Sequence, residues 1–176
     1  MRYRPEYSTQ AQRDQSLYLQ CPPEPVNAAL FYPKCPEMPY YELEPVLFCM
    51  CLYGESREEP AEGIAAVAQV ILNRWLRLES QFGFTVRDVI LKRTKDGGYQ
   101  FNCMYSKDSN YPAILKPEWV GWLKCFKSGM DFYFHPRPLT ADSAFFYINN
   151  KIQLPAFFRK LRQVNSIGNH DFYSDL

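Results

Sequence analysis

Glu55, in the run Leu52-Tyr53-Gly54-Glu55-Ser56-Arg57, has a type and a position suited to proton transfer. The pattern around it reads as a helix, and at about 100° per residue Glu55 projects on the side of Phe48, Cys51 and Leu52. A carboxyl emerging beside apolar atoms is desolvated, which disfavours its charged form. It also sits in a last helical turn, whose negative dipole end disfavours a carboxylate by about 0.3–1 kcal/mol. Both effects favour the protonated acid, the state that protonation of a glycosidic oxygen requires. Arg57 opposes this only if it reaches Glu55, and close neighbours along a helix do not face one another. On these grounds alone an ordinary surface glutamate at a helix end stands as the alternative. No second acid partners it in the sequence. Glu58, Glu59 and Glu62 fall in a turn and a helix start, where the dipole and solubility account for them, and Asp96 and Asp108 read as turn residues.

Other chemistries find less support. Six cysteines stand at positions 21, 35, 49, 51, 103 and 125, but no paired C-x-x-C spacing occurs and the only histidines are His135 and His170. No metal and no cofactor is expected, and the thiols read as free and mostly buried. Twenty basic against nineteen acidic residues give a net charge of +1 and no sequence-wide attraction to a polyanion, so no nucleic-acid partner is expected. No run approaches the roughly 20 apolar residues of a membrane span, and the first thirty residues lack the apolar core of a signal peptide, so a cytoplasmic product without membrane insertion is expected. The unusual quantity is the 16% of aromatic residues, thirteen of them tyrosine, which suits cores and sugar-stacking clefts alike.

The elements that must position Glu55 follow from local signals. Residues 1–41 are rich in proline, with a short helix near 8–20, and read as an arm packed on the body; 42–176 form one domain. A helix begins near Glu42 with Pro45 in its first turn and runs to about Ser56. Pro60 opens a second, over 61–78, whose Ile64, Val67, Ala68, Ile71, Leu72 and Trp75 make it the expected central helix. Thr85 caps a short helix through Leu91, Gly97-Gly98 marks a turn, and Pro117 opens a helix to about Ser128. Ala144 to Ile148 reads as a buried strand, 155–163 as a short helix, and Ile167 to Tyr173 as a terminal strand.

Four blocks in order carry a resemblance. Glu55-Ser56-Arg57 with Glu59-Pro60, Gly63, Ala66-Val67-Ala68 and Ile71-Leu72-Asn73-Arg74 is similar to the signature of the SleB-like cell-wall hydrolases, a family of spore-cortex-lytic type found in bacteria and phages. Gln100-Phe101, then Ala144 to Asn149, then Ile167-Gly168-Asn169-His170-Asp171-Phe172 extend the match over roughly 45–173. Ser56 stands where the family has Ala, Glu58 where it has Gly, and Tyr99 where a glycine often precedes Gln-Phe. Pro138 to Ser143 replaces a glycine-rich turn. These departures bear on loop shape and substrate preference and leave the Glu in place.

The resemblance implies an α+β, mainly helical fold, a lysozyme-like catalytic domain with a small antiparallel sheet lining a cleft. It implies peptidoglycan glycan strands as the partner, cleavage between N-acetylmuramic acid and N-acetylglucosamine, and Glu55 as the catalytic residue. Most glycosidases use two carboxyl groups, whereas lytic transglycosylases need one, because the muramic acid's own C6 hydroxyl attacks C1; a single Glu suits the latter. Softer substrate-binding roles fall to Gln100 and Phe101, Tyr147 and Asn149 on the strand, Asn73 through the loop carrying Glu55, and His170. Basic residues concentrated in 87–107 and 151–162 are candidates to meet the carboxylates of the wall. A monomer released as a phage-type endolysin fits this reading. Its rivals are a hydrolytic muramidase on the same scaffold, a non-catalytic wall-binding or virion module, and, third, a nucleic-acid binder.

Overall fold

The computed structural model describes residues 43–175 apart from positions 96 and 141. The arm expected over 1–41, the helix expected near 8–20, Cys21 and Cys35 lie outside the described residues. Within them the order is α1 (Glu44–Ser56), α2 (Ala61–Arg77), α3 (Val86–Ile90), a 3-10 turn Asn102–Met104, α4 (Tyr111–Leu115), α5 (Trp119–Phe134), β1 (Phe146–Asn149), a 3-10 turn Phe158–Lys160, β2 (Arg162–Ile167) and β3 (His170–Ser174).

The central helix is α1, not α2. Every residue of α1 from Pro45 to Gly54 is buried, and α5, α2, α3 and α4 all pack against it. A helix apolar on all sides belongs inside, whereas α2 has a buried face and a half-buried one that includes Gln69, Trp75 and Arg77, and it also touches β1 and β2. Small residues admit the neighbours. A side chain at Gly54 would meet the Cys103 Cβ at 2.6 Å, and one at Gly129 of α5 would meet the Cys49 sulfur at 2.7 Å. Cys49, Cys51, Cys103 and Cys125 are free and buried, acting as compact apolar fillers at these close approaches.

Local start signals hold with small shifts. Pro60 is the cap residue of α2, which begins at Ala61. Thr85 caps α3: its side chain accepts from the Asp88 amide, while the Thr85 amide donates to the Asp88 carboxylate at 3.0 Å. Helix α5 starts two residues after Pro117 because the Glu118 carboxylate accepts from the amides of Val120 and Gly121, and it continues to Phe134, where His135-Pro136 ends it.

The C-terminal region departs from expectation. The helix expected over 155–163 is only the 3-10 turn Phe158–Lys160, and the single terminal strand is a hairpin of β2 and β3 turning at Gly168-Asn169. The sheet is antiparallel in the order β1-β3-β2. Tyr147 pairs with Phe172 and Asn149 with His170. Strand β2 is an edge with a bulge between Gln163 and Asn165, and most of it is exposed.

Candidate active site

Glu55 lies in the last turn of α1, where that helix leaves the core and turns a carboxyl outward. Its surroundings are less purely apolar than its helical position suggests. The Tyr147 hydroxyl of β1 donates to Oε2 at 2.7 Å, and the Cys103 amide donates to Oε1 at 3.2 Å. Burial raises the Tyr147 phenol well above its ordinary pKa, and the neighbouring Glu55 charge adds to this, so the hydroxyl keeps its proton and acts as a donor. Arg57 points elsewhere, to the Gly54 carbonyl at 3.3 Å and to Asn110 Oδ1 at 2.9 Å.

Glu55 opens onto a hollow of about 210 Å³ whose exposed lining is mostly polar, with Arg57, Asn110, Asn149, Lys151 and His170 around it. A larger hollow of about 400 Å³ lies elsewhere, between α2, the 137–144 segment and β2, and is more apolar. The smaller one is the candidate site, because it holds a carboxyl and a set of hydrogen-bonding groups around it. Of the basic segments, Lys151 reaches this hollow, while Arg87, Lys92 and Arg93 line a different one.

Tyr147 contacts Glu55 and Asn149 and His170 line its hollow, whereas Phe101, Gln100 and Asn73 are not among the residues that line it. Phe101 is 1% exposed, beneath the Arg74 guanidinium at 4.9 Å and 6.4 Å from the Tyr147 ring, so it forms the wall behind the site and has no face for a sugar. Gln100 accepts from Arg74 and donates to the Gln81 carbonyl, bridging two protein segments. Asn73 is also 1% exposed. It donates to the Ala144 carbonyl at 2.8 Å and accepts from Gln69, so it anchors the entry to β1 rather than the loop carrying Glu55.

Two residues emerge that the spacing did not single out. Arg74 is buried under the site, donating to the Phe145 carbonyl, with the rings of Phe82, Phe101 and Phe146 within 5.5 Å of its guanidinium carbon. Burial pulls its pKa down while Tyr147, Cys51 and Glu55 pull it up. Glu59, in the turn between α1 and α2, is 6% exposed and lines the same hollow as Glu55. The one sequence signal for either is that both lie in the blocks shared with the resembling family.

His170 is buried beside Tyr147, edge to face at 5.1 Å. Burial lowers its pKa, against the opposing pull of Glu59, Glu55 and Asp171.

This arrangement of helices and a small antiparallel sheet is similar to the catalytic domain of the Bacillus cereus SleB protein, with a TM-score of 0.54 and 24% identity over 80% of this chain and 96% of that one. The likeness establishes the fold. Residues 58–173 match the model of the cell wall hydrolase family, and the chain belongs to that family. The matched stretch begins just past Glu55 and includes Glu59, Tyr147, Asn149 and His170. No curated protein matches.

Proposed function

We propose that this chain is a peptidoglycan glycosidase that cuts between N-acetylmuramic acid and N-acetylglucosamine as a lytic transglycosylase, with Glu55 as its one acid and base. The observation that carries this reading is the Glu55 carboxyl facing a polar hollow while two donors, Tyr147 and the Cys103 amide, hold it from the protein side. As the C1–O bond breaks, the Glu55 acid gives its proton to the departing oxygen. Charge then appears on a carboxylate toward which two donors already point. The substrate's acetamido oxygen closes on C1. The C6 hydroxyl next attacks C1, displaces that oxygen and returns its proton to Glu55, leaving an anhydro sugar.

Glu59 bears on the choice between this route and hydrolysis. Both of its oxygens are engaged with Asn169, at 2.9 Å each, which leaves it poorly placed to activate a water. That favours the one-acid route over a hydrolytic muramidase. Mass spectrometry of purified sacculi after digestion tests the reading: anhydromuramyl ends are expected, reducing muramic ends would indicate hydrolysis, and an undigested wall would leave a binding module. Tyr147→Phe removes one donor to Glu55, and a hydrogen bond to a charged group is worth about 1.5–3 kcal/mol. Turnover of soluble glycan should fall by one to two orders of magnitude, and because the same bond is made in the resting protein the melting temperature should fall by several degrees.

A further inference from the structure

We infer that Glu59 is a positioning residue, which fixes the Gly168-Asn169 turn and through it sets the Tyr147 hydroxyl against Glu55; the inference rests on the glycosidase reading above. A carboxylate in an interhelical turn is ordinarily solvated, but this one is inside the protein. Its Oε2 accepts from the Asn169 amide and its Oε1 from Asn169 Nδ2, each at 2.9 Å, and His170 Nδ1 stands 3.6 Å from Oε1 with no hydrogen-bond partner of its own among the described residues.

Two glycines make room for it. A Cβ at Gly168 would lie 1.9 Å from Glu59 Oε2, and one at Gly63 would lie 2.9 Å from Glu59 Cβ. The turn is held on its other side by Asn150, whose amide donates to the Asn169 carbonyl at 2.8 Å. The next residue after the turn is His170, whose ring abuts Tyr147, and the Tyr147 hydroxyl is the donor to Glu55. A chain of direct contacts therefore runs from Glu59 through Asn169, His170 and Tyr147 to the acid. Movement of the turn would be transmitted to the Glu55 carboxyl, where a displacement of about 1 Å can cost two orders of magnitude in rate.

Glu59→Gln keeps the size of the side chain but turns one acceptor into a donor facing a donor. Steady-state kinetics on soluble glycan strands, normalised to folded protein by circular dichroism, should show kcat reduced about tenfold or more with KM within about twofold. Adding Asn169→Asp restores an acceptor opposite the new amide and should recover most of kcat. Should Glu59→Gln fail to fold, Asn169→Ala, which leaves Glu59 and the backbone donor in place, carries the same expectation. Wild-type kcat per folded molecule in the single variant, a rise in KM with kcat preserved, or no recovery in the double variant would each overturn the inference while leaving the glycosidase reading intact. Wild-type protein inert on glycan would overturn that reading, and this inference with it.

Discussion

Glu55→Gln should lose turnover of peptidoglycan by about two to four orders of magnitude, the range general acid catalysis supplies, while the protein folds and binds glycan as before. The amide has the volume of the acid and fits the same contacts. Its oxygen can accept from the Cys103 amide, and its nitrogen can donate to the Tyr147 oxygen once that hydroxyl rotates, so both neighbours keep a bond to residue 55 while the hydroxyl proton gives up its acceptor there. What it cannot do is deliver a proton and take one back. Turbidity loss of sacculi measures the activity, calorimetry with glycan oligomers the binding, and thermal melting the fold. Turnover near the wild-type rate would remove Glu55 from the chemistry.

Gly168→Ala is expected to have the largest effect on stability. The residue has φ +59, in the left-handed region, where an L side chain costs about 1–2 kcal/mol. Its new methyl would also stand on Glu59 Oε2, forcing a buried carboxylate off the Asn169 donors; bonds to charged groups are worth about 1.5–3 kcal/mol, so the total should reach about 2.5–5 kcal/mol. Gly97→Ala is the control. Gly97 has φ +83, but no atom lies within 4 Å of where its Cβ would stand, so this change should cost only the backbone strain. Urea unfolding of the two variants separates the terms, and equal losses would mean that contact with Glu59 contributes nothing.

Local chemistry is readable from the chain wherever the signal and the structure lie close together. Pro60, Thr85 and the Gly97-Gly98 turn act on residues within one helical turn of themselves, and each sits where its chemistry puts it. Tyr147 follows from strand alternation, which places it on the face shared with Asn149. Strand β2 is hidden because an exposed edge strand needs few apolar residues; Arg162-Gln163-Val164-Asn165-Ser166-Ile167 has only two. The burial of Glu59 is hidden for a different reason. It depends on a glycine and an asparagine more than a hundred positions away, and a turn glutamate looks solvated until that pairing is known. The burial of Phe101 is hidden because a two-residue segment has no periodicity to tell the wall of a cleft from its face.

The proposed mechanism requires the Glu55 carboxyl to meet the scissile bond. A crystal structure of Glu55→Gln with an oligomer of alternating N-acetylglucosamine and N-acetylmuramic acid tests this most directly. The bridging oxygen should lie within hydrogen-bond reach of the residue 55 amide, in the hollow shared with Asn149 and His170. Sugar seated instead in the larger hollow beside Gln69 and Arg137, with residue 55 uncontacted, would contradict it.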